Sequence, residues 1–114
     1  MESLSKGTVS LSQPVLLTPD VVKPRLHKLL ILDVQNPKYA TSTIPKARRL
    51  NVDILLKDIP KTQPILLTCL DGRLSFAAAK QLLKSGFRPV YVLKGGVLGW
   101  RQAGYTVQRI SYSA

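Results

Sequence analysis

The sequence predicts an α/β sandwich with a largely parallel central sheet flanked by short helices. Three observations predict it. Three apolar runs, at residues 28–34 (KLLILDV), 65–68 (ILLT) and 89–93 (PVYVL), are nearly continuous, as in strands buried on both faces. The stretch 76–85 instead carries Phe76, Ala79, Leu82 and Leu83 on one helical face, followed by Phe87. Strands alternating with short helices favour parallel pairing through crossovers. The length, 114 residues, suits one domain with a modest core.

The elements follow in order. Residues 1–15 read as a loose tail or an edge strand, 16–110 as a single domain and 111–114 as a C-terminal tail. Thr18 can cap a short helical turn, and Pro19 suits the first helical position. Asn36, Pro37, Lys38 and Tyr39 form a turn or short helix. Residues 47–51 read as a short strand and 52–59 as a short helix closed by Pro60. After the helix at 76–85, Gly86 is a natural C-cap and Pro89 follows it. Gly95 and Gly96 turn the chain, 97–103 form a last short helix, and Gly104 ends it. Trp100 reads as core and His27, among Arg25, Leu26 and Lys28, as surface.

Composition narrows the function. The apolar share, 45%, is ordinary for a folded domain. No run approaches the 18 or so apolar residues of a membrane span, and residues 1–13 lack the apolar segment of a secretory signal. The single cysteine leaves no internal disulfide, no dithiol cycle and no zinc cluster, so no metal is expected and a cytoplasmic location is. The net charge is +11, and no acidic residue follows Asp71, whereas Arg73, Lys80, Lys84, Arg88, Lys94, Arg101 and Arg109 do. Such a field attracts small oxyanions, an acidic protein or nucleic acid. For nucleic acid the charge is the only indication, because the few aromatics are not interleaved with the cations.

Chemistry points to Cys69. It ends a buried strand and faces a short loop, Leu70, Asp71, Gly72, Arg73, Leu74 and Ser75, that opens a helix. In ligand-binding parallel sheets the site lies beyond the carboxyl ends of the strands. Loop N–H groups and the positive end of a helix dipole favour thiolate, the nucleophilic form, over thiol. His27 is remote in sequence, so no Cys–His dyad is expected.

Four segments in order resemble the rhodanese-like (sulfurtransferase) domain. They are Leu30-Ile31-Leu32-Asp33-Val34, Ser42-Thr43-Ile44-Pro45-Lys46-Ala47, the Cys-x-x-Gly-x-x-Ser loop from Cys69 to Ser75, and the Gly95-Gly96-x-x-x-Trp100-x-x-Ala103-Gly104 segment. The resemblance covers roughly residues 18–107. It implies a three-layer rhodanese-like sandwich with about five strands. It implies sulfur transfer from an anionic donor, thiosulfate or a persulfide, to a thiol or protein acceptor through a covalent persulfide on Cys69, with no further cofactor. Cys69 would be catalytic, and Leu70, Asp71, Gly72, Arg73, Leu74 and Ser75 would form the binding loop. Gly72 would let the backbone curl, Ser75 would offer its hydroxyl or cap the helix, Arg73 would attract the donor, and Asp33 would support the site.

The chain also departs from that pattern. Asp71 places negative charge two residues from Cys69, which opposes a thiolate and repels thiosulfate. Leu74 stands where the family often has arginine. Gln35 follows Asp33 and Val34 where arginine is frequent, which removes an expected ion pair. Weak thiosulfate turnover is therefore expected, and a non-catalytic module that binds an acidic protein is the alternative. A cysteine phosphatase needs arginine six residues after the cysteine to clamp phosphate, and that position is Ser75.

Overall fold

The computed structural model describes residues 13–49 and 56–110. Along the chain run β1 (Val15–Leu17), α1 (Pro19–Val22), a 3₁₀ helix (Lys23–Lys28), β2 (Leu30–Asp33), β3 (Ser42–Thr43), β4 (Ile65–Thr68), α2 (Arg73–Lys84), β5 (Val90–Leu93), α3 (Gly96–Gln102) and β6 (Gln108–Arg109). Four strands form one sheet in the order β1-β5-β4-β2, every neighbouring pair parallel. β3 and β6 make a separate antiparallel ribbon, with Ser42 opposite Arg109.

The sheet is buried on both faces, and this explains the continuous apolar runs. Side chains alternate along a strand. Leu32, Ile65, Leu67, Val90 and Val92 point to one face and meet Ala79, Leu82 and Leu83 of α2 and Phe87. Ile31, Leu66 and Leu93 point to the other and meet Val22 of α1 and Val97 and Trp100 of α3. Helix, sheet and helix make the three layers. No helix among the described residues is long and apolar enough to cross a membrane.

Several expectations are corrected. The strand foreseen from Lys28 begins at Leu30, because Lys28 still closes the 3₁₀ helix and Leu29 N–H donates back to Leu26 O. Of the strand foreseen at 47–51, Arg48 alone bridges in parallel to Leu32, and 50 and 51 lie outside the described residues. The parallel sheet thus has four strands among the described residues against the five or so foreseen. Of the helix foreseen at 52–59, Leu56 and Lys57 are helical, while 52–55 lie outside the described residues. Thr18 precedes α1, but its carbonyl takes the N–H groups of Val21 and Val22 and its hydroxyl caps nothing. Of the N-terminal fifteen residues, Val15 belongs to β1, an edge strand, and 1–12 lie outside the described residues.

Two ends are tied down as foreseen or more firmly. At the end of α2, Gly86 takes φ +96°, and the N–H groups of Gly86 and Phe87 return to Leu83 O and Leu82 O, a Schellman closure that buries Phe87. In α3, Trp100 is fully buried, and its Nε1–H donates to Thr106 O, beyond the helix end, at 2.9 Å. The Tyr105 ring lies 5.0 Å from it, and the Tyr105 hydroxyl donates to Asp20, which pushes the phenol pKa up.

Leu66 sits in the central strand pairings with no exposure and packs under α3. Leu66→Ala should destabilise the fold by about 2–5 kcal/mol, read as a lowered urea midpoint by circular dichroism.

Candidate active site

The loop after β4 is built around a sulfur atom. Cys69 is 1% exposed and lies just past the last residue of β4. Gly72 adopts φ +102°, a conformation that L side chains avoid, and this folds the loop back on itself. As a result Gly72 N–H donates to Cys69 Sγ at 3.1 Å and Ser75 N–H does so at 3.4 Å. The Ser75 hydroxyl is also 3.4 Å from Sγ, and it donates to Gly72 O at 3.1 Å. A hydroxyl carries one proton. With a thiol at Cys69, S–H donates to Ser75 Oγ and the hydroxyl proton goes to Gly72 O. With a thiolate, the hydroxyl turns its proton to sulfur. Helix α2 begins at once, with Phe76 N–H donating to Gly72 O at 3.1 Å, so Ser75 is a buried first-turn residue rather than the N-cap. α2 starts at Arg73, three residues earlier than its apolar periodicity suggests.

A second element holds the other side of this loop. The first-turn N–H groups of α3 point at it: Val97 N–H donates to Cys69 O at 2.8 Å and Leu98 N–H to Leu70 O at 3.0 Å. The approach is possible because Gly96 has no side chain. A Cβ there would lie 2.3 Å from Cys69 O and 2.6 Å from Leu70 O, and its φ is +60°. Gly95 and Gly96 read as a turn in the sequence; in the structure they also seat the cysteine loop.

Asp33 ends β2 beside the loop, where Val34 N–H donates to Thr68 O at 2.8 Å. Its carboxylate is buried and accepts Gln35 N–H and Gln35 Nε2–H, both at 2.8 Å. Gln35 also donates to Ser42 O at 2.9 Å, linking β2 to β3. The ion pair that Gln35 was expected to forfeit comes from elsewhere: Arg49 Nε lies 3.9 Å from Asp33 Oδ2, and its guanidinium donates to Gln35 O. The sequence shows neither Gln35 nor Arg49 as part of this assembly, because only the fold brings them to Asp33.

The loop charges also differ from expectation. Arg73 and Asp71 bind each other, with Nη2 at 2.9 Å and Nε at 3.0 Å from Oδ2, and Arg73 N–H donates to Asp71 Oδ1. Hydrogen bonding from Arg73 lowers the Asp71 pKa, and Asp71 raises that of Arg73. Asp71 is thus not a bare charge facing the sulfur, and Arg73 is not a bare cation awaiting a donor. Leu70 and Leu74, by contrast, stand 51% and 59% exposed. Two hollows flank the loop. One, about 370 Å³, is lined by Leu16, Arg73, Phe76 and Lys94 among others; the other, about 200 Å³, lies between Leu70, Leu74, Tyr39 and Gln35.

The chain is similar to known proteins over most of its length. The profile of the Rhodanese-like domain family matches residues 18–103. A sulfurtransferase of Allochromatium vinosum is 29% identical over 102 residues, 86% of this chain and 88% of that protein. The thiosulfate sulfurtransferase GlpE of Pseudoalteromonas translucida is 32% identical over 79 residues, 66% of this chain and 75% of that protein. Among solved structures, the rhodanese-like domain of a protein from Anabaena sp. superposes with a TM-score of 0.70 at 28% identity, covering 83% of this chain and 79% of that one.

Two outcomes test this geometry. Gly96→Ala forces a side chain into a left-handed conformation against backbone carbonyls, so it should cost at least about 2 kcal/mol. A lower melting temperature together with faster alkylation of Cys69 would show the loop released. Asp71→Asn should free Arg73 and tighten binding of sulfate, a dianion throughout the pH range used, severalfold by calorimetric titration. Since the Asp71 pKa lies below the usual carboxylate range, the pair stays ionised above that range. The wild-type affinity should therefore be flat from about pH 5 to 8 and rise only as pH falls through the lowered value.

Proposed function

The chain belongs to the rhodanese-like domain family, and on that premise we propose that it is a sulfurtransferase that carries sulfane sulfur as a persulfide on Cys69. The observation that supports this most directly is the pair of N–H groups aimed at Sγ, those of Gly72 and Ser75, with the Ser75 hydroxyl beside the sulfur, all within 3.4 Å.

The reaction runs in two displacements. The Cys69 thiolate attacks the outer sulfur of a donor. The new S–S bond forms as the old one breaks, and the donor remnant leaves with the electron pair: sulfite from thiosulfate, a thiolate from an organic persulfide. An acceptor thiolate, or cyanide in an assay, then attacks the outer sulfur of Cys69–S–S⁻ and returns the cysteine as thiolate. Both steps are nucleophilic displacements at sulfur, and no net redox change or bound metal is required. The role of the loop is to receive negative charge. Donors held by a turn and a helix start need no reorganisation when that charge arrives. The Ser75 proton can move from Gly72 O to sulfur by rotation about one bond. Gly96, Val97 and Leu98 act as positioning groups, since they fix the carbonyl side of the same loop.

The paired state of Arg73 and Asp71 supports a weak response to thiosulfate, because the loop offers that dianion no unengaged cation. The acceptor is a thiol, small or on a protein, and the +11 charge suits an acidic protein partner in a reducing, cytoplasmic setting.

Intact mass spectrometry tests the proposal. After incubation with thiosulfate or a persulfide donor, the wild-type protein should gain one sulfur atom that cyanide or a reductant removes, and folded Cys69→Ser should gain none. A wild-type protein with a free thiol that gains nothing from any donor would favour the non-catalytic binding module.

A further inference from the structure

We infer that the sulfur carriers served by this site are small organic persulfides and thiols whose carrier group is uncharged and apolar, in preference to inorganic oxyanions. The inference rests on the persulfide reading of Cys69 and adds the substrate class. It starts from two leucines that the fold leaves in solvent. Leu70 is joined to Cys69 and Leu74 to Ser75, the two residues whose side chains meet at 3.4 Å across the sulfur. Leu70 is 51% exposed and Leu74 59%. Single exposed apolar residues are ordinary on a protein surface. These two share one hollow of about 200 Å³ with the ring of Tyr39, itself 73% exposed, and with Ala40; the polar residues Gln35, Asn36, Thr41 and Ser42 make up its other side.

Among the described residues, no charged side chain lines this hollow. Gln35, its amide fixed between Asp33 and Ser42 O, forms a rigid polar wall. Lys38 lies over the Tyr39 ring, 5.9 Å from its centre, and is not in the lining. The loop cation, Arg73, belongs with Lys94 to the hollow on the opposite flank and is bound by Asp71. A charged carrier entering between the leucines would lose water and gain no counter-charge from the described lining, whereas an alkyl or aryl carrier would cover Leu70, Leu74 and Tyr39. The volume is below the roughly 300–1,000 Å³ of a site for a drug-sized ligand. It therefore suits a short carrier. The long-range field of +11 still gathers anions near the molecule; the persulfide sulfur itself, R–S–S⁻, carries the charge that the Gly72 and Ser75 donors receive.

Cys69 loading is to be followed by intact mass in rapid quench with ethyl persulfide, butyl persulfide, a carboxylated butyl analogue and thiosulfate. Each buried methylene is worth about threefold to fourfold, so butyl should exceed ethyl about tenfold in second-order rate. The carboxylated analogue should lose that advantage. Leu70→Ser with Leu74→Ser, both at exposed positions, should bring the butyl-to-ethyl ratio close to one, with an unchanged circular dichroism spectrum as the check on folding. Because the wild-type ratio is compared with that of the double variant, the intrinsic reactivity of each donor cancels. A wild-type ratio near one, or a ratio unchanged in the double variant, would overturn the inference while sulfur loading on Cys69 still stood. Absence of loading by every donor would remove the persulfide reading itself, and the inference with it.

Discussion

Everything at this site depends on one close approach of two backbones. The loop after β4 turns the N–H groups of Gly72 and Ser75 inward to the Cys69 sulfur, and the carbonyls of Cys69 and Leu70 face α3. Unpaired, they would be destabilising. The first turn of α3 has free N–H groups for the same geometric reason that every helix start does. Val97 and Leu98 supply them at 2.8 and 3.0 Å, and Gly96 makes the distance possible. The loop and the helix start thus resolve each other's unsatisfied groups. The core beneath supports this contact: Trp100 and Val97 anchor α3 on the sheet face that Leu66 and Leu93 also form.

Charge acts at two scales in this protein. The chain as a whole is strongly basic, with a net charge of +11, and that field is felt over a Debye length, roughly 8–10 Å at ordinary ionic strength. Within the loop the balance is different. Arg73 and Asp71 neutralise each other, and the neighbouring positions are leucines. A basic protein can therefore have a mouth that is locally neutral.

Much of the fold was legible because its signals are local. Buried parallel strands show as unbroken apolar runs, α2 shows as one apolar face, and Gly86 closes it by the chemistry of a left-handed C-cap. The errors were also local in origin. Lys28 precedes a strand in sequence yet closes a 3₁₀ helix, and Thr18 looks like a side-chain cap while its carbonyl does the work. At the site, the spacing from Cys69 to Ser75 marked the loop, while whether Ser75 caps α2 or turns to the sulfur depended on the fold.

By itself the sequence determined the layer architecture, the family resemblance and the loop on which Cys69 sits, since each depends on residue types at short separation. Only the tertiary structure decided what surrounds that cysteine. Arg49 reaches Asp33 across fourteen residues of chain beyond Gln35. Gly96 packs on Cys69 from twenty-seven residues away. Tyr39 shares a hollow with Leu74. Such contacts arise when separate strands end at the same edge of one sheet, and no local pattern records which residues will meet there. The pairing of Arg73 with Asp71 was within reach of the sequence, two positions apart. Yet opposite charges at that spacing pair only when the backbone turns them together, and the turn is made by Gly72 folding over the sulfur.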